Sequence, residues 1–155
     1  NDVVPRYMKT GAYDPKASIA TISNAMDVGD PSNFIRIRHL YKDNFEELSK
    51  NLSSYSFTDD ETREAMLELY NDYTYVADPH GAVGYLGLKK YQQAHPDTYG
   101  IFLETAHPVK FLDVVEDTIR ENIDLPKSIV KVMDKKKKSI KISQYDQLKA
   151  YLLCK

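Results

Sequence analysis

The sequence has a single cysteine, Cys154, next to its carboxyl terminus. One cysteine can form neither an intramolecular disulfide nor a thiolate metal site, so both are excluded. A chain without disulfides fits a reducing compartment, and we expect a cytoplasmic protein. Apolar runs of about 20 residues, which a bilayer span needs, are missing, as is the order of residues that marks a signal peptide. We therefore expect no membrane partner.

An excess of positive charge is also missing. The chain has 21 Lys and Arg against 23 Asp and Glu among 155 residues, a formal net charge of −2. This balance excludes the broad basic surface of a nucleic-acid binder, so we expect no nucleic-acid partner. The one basic run, 135–138, is more typical of solvated charge at a turn. With 42% hydrophobic residues, the chain is long enough to bury the core of one globular domain.

The hydrophobic pattern alternates between short apolar runs and longer amphipathic stretches. The runs predict strands or extended segments at 18–22, 54–57, 74–77, 99–104 and 139–143. The stretches predict helices at 30–48, from about 58, from 79, at 108–122, at 126–133 and at the end of the chain. Strands that alternate with helices predict an α/β fold with a mainly parallel sheet and helices on both faces.

Two turns have the position that ligand-binding turns take in such a fold. "ADPHGA" (77–82) and "ETAHPV" (104–109) each follow a predicted strand, lead into a helix and carry a histidine. Ligands bind outside the carboxyl ends of parallel strands, beside the free N–H groups of helix amino termini. Spacing alone favours the plainer alternative, in which Asp78 and Thr105 cap the helices and His80 and His107 are exposed.

Other kinds of site find little support. The histidines lack the i, i+4 or short-loop spacing of a zinc site, so we expect no metal. A serine within Gly-x-Ser-x-Gly is missing too. Three glycines three residues apart lie inside a predicted helix rather than ahead of one, which favours close helix packing over a phosphate-binding loop. They are Gly81, Gly84 and Gly87.

Three segments resemble a known family when they are read together. These are "NDVVPRYMKTGAYDPKASIATISNAMDVGDPSNF" (1–34), "DPHGAVGYLGL" (78–88) and "FLETAHPVKF" (102–111). They resemble the threonine synthase family of the bacterial and fungal type, pyridoxal-phosphate enzymes of the tryptophan-synthase-β-like fold, or fold type II. The resemblance implies that the chain is the carboxyl-terminal part of a longer enzyme. Residues 1–123 would then belong to the large cofactor-binding domain, and 124–155 would form a terminal extension.

The resemblance also implies an activity for the intact protein. Members of the family are lyases that convert O-phospho-L-homoserine and water into L-threonine and phosphate, with pyridoxal 5'-phosphate as the cofactor. Their Schiff-base lysine and glycine-rich phosphate loop lie upstream of the matched region, so we expect the isolated chain to be inactive. Two alternatives stay open at this point. One is another lyase of the same fold, such as threonine dehydratase, and the other is a stand-alone α/β module that binds a small anion.

Site residues follow from the same resemblance. Thr105 matches the position whose hydroxyl faces the ring nitrogen of the cofactor, so it is the first candidate ligand. Asp78 and His80 lie in the segment near the ring, and His80 is a candidate contact for a cofactor or substrate phosphate. His107 belongs to the same turn as Thr105.

Two further residues of "SNAMD", Asn24 and Asp27, are candidates for lining the site, against the alternative that they only make hydrogen bonds within a loop.

The resemblance has a physical consequence as well. A part of a sheet protein presents unpaired strand edges, and an unpaired edge is a template for another chain. We therefore expect the isolated chain to self-associate.

Overall fold

The computed structural model describes residues 1–23 and 26–154. Within these ranges the chain forms α-helices and one 3₁₀ helix, Pro108–Phe111, and no strand. The α-helices are α1 (Val3–Thr10), α2 (Phe34–Leu40), α3 (Phe45–Asn51), α4 (Asp59–Tyr73), α5 (Pro79–Ala94), α6 (Leu112–Ile119), α7 (Lys127–Met133) and α8 (Tyr145–Leu153). The chain separates into two compact units, Asn1–Ile123 and Asp124–Lys155. The assignment of 1–123 to a cofactor-binding domain and of 124–155 to an extension stays a prediction.

The predicted α/β fold with a parallel sheet is wrong for this chain, because the regular elements that the described residues form are all helices and none is a strand. The apolar runs connect helices instead. A strand needs backbone hydrogen bonds from a neighbouring strand, and among the described residues none joins 74–78 to 98–106. Alternation of apolar residues marks a segment that is suited to a sheet, but it does not supply the strand beside it.

The helix predicted over 30–48 is two helices, α2 and α3. Between them Lys42 and Asp43 have positive φ values of 52° and 55°, a left-handed conformation that ends a helix. Asn44 then begins α3, because its side chain accepts a hydrogen bond from the Glu47 N–H at 3.0 Å. The apolar spacing continues through the break, so the polar residues at 42–44 were the better guide to the boundary.

The larger hydrophobic core lies where α4 packs against α5 and α6. Helix α4 opens with a capping box formed by Thr58 and Glu61, which satisfies N–H groups that a helix start leaves free. Its buried residues recur at the spacing of one helix face; they are Thr62, Ala65, Met66 and Leu69. The buried cluster consists of Ala65, Met66, Ala82, Phe111, Val115 and Ile119.

A smaller core joins α1, α2 and α3. It is built from Tyr7, Phe34 and Leu48, which are each at most 4% exposed. The Tyr7 ring meets the Phe34 and Phe45 rings edge to face, with centroids 5.2 Å and 5.4 Å away, and such pairs add to the burial of apolar area. This core fixes the amino-terminal helices within the first unit.

The second unit contains α7 and α8, and neither helix has a buried residue. Helix α8 begins with a capping box between Gln144 and Gln147. Among the helices described, none combines the length and the apolar character that crossing a membrane requires.

Candidate functional site

The candidate site begins at the buried carboxyl group of Asp78, which caps α5. Asp78 is 0% exposed, and its Oδ1 accepts a hydrogen bond from the Gly81 N–H at 2.9 Å. Pro79 occupies the first turn, where its missing N–H costs nothing. A carboxylate is favoured here because it satisfies a free N–H and faces the positive end of the helix dipole. The structure therefore gives Asp78 the capping role, and its part in cofactor binding stays a prediction.

His80 is held by the other oxygen of the same carboxyl group. Its Nδ1 lies 2.9 Å from Asp78 Oδ2, its side chain is 36% exposed, and its ring packs against Phe111 with centroids 5.0 Å apart. Burial opposes ionisation of Asp78, but hydrogen bonds from Glu104, the Gly81 N–H and His80 outweigh it and hold the pKa of Asp78 below its usual value. Since a carboxylate only accepts, Nδ1 carries the proton, and Nε2 is left to meet a ligand.

Glu104 brings the second turn to the first. Burial, followed by the hydrogen bond to Asp78 and the charge of Asp78, raises the pKa of Glu104 to about 8. The Tyr75 hydroxyl donates to Glu104 Oε2 at 3.4 Å. Glu104 Oε1 is buried and receives no donor from the described residues. The two turns singled out in the sequence thus meet at Gly81, against which the Glu104 carboxyl group lies.

Thr105 and His107 follow Glu104 and take different roles. His107, and not Thr105, caps the 3₁₀ helix, because the Val109 N–H donates to His107 Nδ1 at 3.1 Å. Thr105 is exposed, and its hydroxyl has no hydrogen-bond partner in the described part of the chain. The capping alternative therefore applies to His107, while the Thr105 hydroxyl can meet a ligand.

Asp27 belongs to a separate hydrogen-bonded loop. Its carboxyl group accepts from the Thr21 hydroxyl at 2.8 Å, the Thr21 N–H at 3.3 Å and the Asn1 side-chain amide at 3.2 Å. These contacts match the loop-bonding alternative, and none of them involves Asp78, His80 or Thr105. Asn24 lies outside the described residues. A site-lining role for either residue stays a prediction.

Glu104 is the residue of this cluster that the sequence did not single out. A signal was present, because an acidic residue directly after the apolar run at 101–103 is unusual for a segment with a buried face. The spacing could not identify its partner, because Asp78 lies in a different turn, far away in sequence.

Comparison with models of known protein families shows which class of protein this chain resembles. Residues 81–152 match the family model described as "Threonine synthase, C-terminal". This range includes most of α5, the 3₁₀ helix and α6, together with α7 and nearly all of α8. The match therefore contains His107, Thr105 and Glu104 and begins three residues after Asp78.

Curated relatives extend the similarity over nearly the whole chain. The chain is 40% identical to the threonine synthase of Escherichia coli strain K12 over 86% of its own length and 30% of that protein. It is 41% identical to the Haemophilus influenzae threonine synthase over 99% of its length and 35% of that protein. The chain thus spans about a third of the length of the curated relatives it matches.

Solved structures of threonine synthases are also similar to this chain. The crystal structure of Escherichia coli threonine synthase matches with a TM-score of 0.77 and 41% identity, over 86% of this chain and 30% of that one. A structure of threonine synthase from Brucella melitensis with bound PLP matches with a TM-score of 0.63 over 97% of this chain and 37% of that one, and at 22% identity it supports the fold alone. The resemblance to threonine synthases drawn from the sequence is confirmed.

Proposed function

We propose that this chain is the carboxyl-terminal part of a threonine synthase. The whole protein would be a cytoplasmic, pyridoxal-phosphate-dependent lyase that converts O-phospho-L-homoserine and water into L-threonine and phosphate. The observation that carries the proposal is identity of about 40% to threonine synthases along nearly the entire chain. The relatives cited above are threonine synthases and not dehydratases, so we favour neither threonine dehydratase nor an anion-binding module.

The exposed Thr105 hydroxyl fits the cofactor. When bound, pyridoxal phosphate supplies the electron sink that carbanion chemistry needs. A hydroxyl can donate to a neutral pyridine nitrogen or accept from a protonated one, whereas a carboxylate would keep a proton there. A free hydroxyl at the turn before the 3₁₀ helix supports the proposed contact with the ring nitrogen.

The pair of Asp78 and His80 fits a phosphate. Asp78 orients the partly exposed imidazole through Nδ1, and Nε2 can donate to a phosphate oxygen when the ring is protonated. The same turn lies at the amino terminus of α5, where the helix dipole favours negative charge. We assign His80 to a phosphate of the cofactor or substrate, with Asp78 as its positioning residue.

Turnover by the whole protein tests the proposal. The full open reading frame that contains this chain is expressed, and phosphate release from O-phospho-L-homoserine is measured with and without added pyridoxal phosphate. We expect cofactor-dependent release together with L-threonine. The purified 155-residue chain serves as the matched control and should release none, because the family's Schiff-base lysine lies upstream of the matched region. A product other than threonine from the whole protein would contradict the proposal, and turnover by the control would contradict the expected inactivity of the isolated chain.

A further inference from the structure

Asp78 and Glu104 carry two buried carboxyl groups beside the same glycine, and the protonation state of each group follows from its surroundings. Asp78 is fully buried, and Glu104 Oε1 is buried as well, without a hydrogen-bond partner among the described residues. Both carboxyl groups lie against Gly81, because its N–H donates to Asp78 Oδ1 at 2.9 Å and a Cβ atom built on it would clash with the Glu104 carboxyl group. Two ionised carboxylates could not form a hydrogen bond with each other, because both would only accept. Two negative charges buried beside the same glycine would also repel each other, because little water screens them. One of the two groups must therefore carry a proton.

The surrounding donors show which group it is. Asp78 receives two N–H groups, one on each oxygen, at 2.9 Å from Gly81 and at 2.9 Å from His80. Both favour its ionised form. Glu104 receives the Tyr75 hydroxyl on Oε2 at the long distance of 3.4 Å, and Oε1 receives no donor from the described residues. The Asp78 backbone also acts to lower the pKa of Glu104, but burial raises that pKa more. A proton on Glu104 removes the unsatisfied acceptor, because the protonated carboxyl group is itself a hydrogen-bond donor.

We propose that Glu104 holds a proton at neutral pH and donates it to the Asp78 carboxylate, and that this hydrogen bond fixes the turn carrying Thr105 to the amino terminus of α5. Glu104 is then a positioning residue for Thr105, its neighbour in the chain. The placement of the proton is independent of the proposed function, while the benefit to cofactor binding rests on it. The raised pKa of Glu104 agrees with this assignment.

Gly81 supplies the space for the pair. A Cβ atom built on Gly81 would clash with the Glu104 carboxyl group. Alanine at this position would push Glu104 off Asp78 without changing a charge. The variant Gly81→Ala therefore separates loss of the contact from loss of the titrating group.

The proton can be observed directly in the full 155-residue chain without cofactor. The ¹³C signal of the Glu104 carboxyl group, assigned through bonds from its own backbone, is followed from pH 3 to pH 10. We expect a midpoint near 8, and in Gly81→Ala a midpoint displaced towards the value of about 4.3 that is ordinary for glutamate. A midpoint near the ordinary value in the unsubstituted chain overturns the proposal. The measurement needs no catalysis, so its failure is distinct from failure of the proposed function.

Stability against pH gives a second readout. The titratable groups that face the pair are Tyr75, from the segment before α5, and His80. Because the folded chain holds the Glu104 proton more tightly than the unfolded chain, stability is full below the unfolded pKa and declines as pH rises towards about 8. Glu104→Gln keeps a donor but does not titrate, so the urea midpoint should fall less between pH 5 and pH 8.5 than in the unsubstituted chain. An equal fall in both proteins would overturn the assignment.

A matched control and a cofactor readout complete the test. Glu64→Gln replaces an exposed glutamate of α4 and should retain the unsubstituted pH dependence. In the whole protein, Glu104→Ala should weaken pyridoxal-phosphate binding severalfold, as measured by the absorbance of the bound cofactor, and Glu104→Gln should restore most of it. Equal binding by the alanine variant and the unsubstituted protein would contradict the positioning role.

Discussion

Thr105 is a residue whose proposed role depends on chemistry rather than on packing. Its side chain is exposed, and its neighbours on both sides have partners in the fold: Glu104 meets Asp78, and Ala106 packs against the larger core. The turn is therefore held by the residues around Thr105. This arrangement leaves the hydroxyl available without making the fold depend on it.

Substituting Thr105 in the whole protein should separate binding from stability. Thr105→Val keeps the shape but removes the hydroxyl, and loss of one hydrogen bond of about 1 kcal/mol should weaken cofactor binding roughly fivefold. Thr105→Ser should bind like the unsubstituted protein. Titration with pyridoxal phosphate, followed by absorbance, measures both. Because Thr105 is exposed, the free energy of unfolding measured with urea should change by no more than about 0.5 kcal/mol in either variant. Undiminished binding by the valine variant would refute the assigned contact.

Helix α4 lies at the centre of the larger core of the first unit. It packs against both α5 and α6, and polar bonds reinforce the two contacts. Lys89 and Tyr85 of α5 each donate to Glu68 at 2.6 Å, while Arg63 donates to Thr118 of α6 at 2.7 Å. The core beneath α4 therefore holds α5, and with it the amino terminus that carries Asp78.

Truncation of Met66 tests how much that core contributes to the free energy of unfolding. Met66 is 1% exposed, so Met66→Ala removes buried methylene groups and leaves a cavity, which costs about 2–5 kcal/mol. Urea unfolding of the 155-residue chain measures the loss. The matched control is Met133→Ala, at a residue that is 55% exposed, which should cost about 0.5 kcal/mol or less. Similar losses from the two variants would mean that the α4 core does not carry the stability of the chain.

The molecule as a whole presents an uncovered apolar face on the segment between α5 and the 3₁₀ helix. Ile101 and Leu103 are 89% and 73% exposed, whereas Phe102 between them contacts the Tyr75 and Tyr85 rings. One face of the segment is thus packed and the other is open, which is the pattern of a half-buried strand. Open apolar faces of this kind favour association with another chain.

Self-association of the isolated chain is the expected result. Size-exclusion chromatography with light scattering over a concentration series should give a mass that rises above that of the monomer. Ile101→Lys places a charge on the open face and should lower the mass at each concentration. Ile35→Lys, at a residue of α2 that is 68% exposed, is the matched control and should leave association unchanged. A monomer throughout the series would contradict the expectation.

Local signals in the sequence located several elements well. Acidic residues after Thr58 predicted the start of α4, and Asp78 with Pro79 predicted the start of α5, because caps and first-turn residues act on N–H groups a few positions away. Three short segments also sufficed to identify the resemblance to threonine synthases. The boundary between α2 and α3 was missed, because apolar spacing continued through a left-handed turn at 42–43.

The amino-acid sequence was sufficient for the starts of α4 and α5, which depend on near neighbours, and for the resemblance to threonine synthases. The missing sheet and the pairing of Glu104 with Asp78 required the fold. Strand pairing and carboxyl pairing both join groups that are far apart along the chain, and alternation or spacing within one segment cannot specify a distant partner. Burial at their meeting point is what gives Glu104 its raised pKa, and burial is a property of the packed chain.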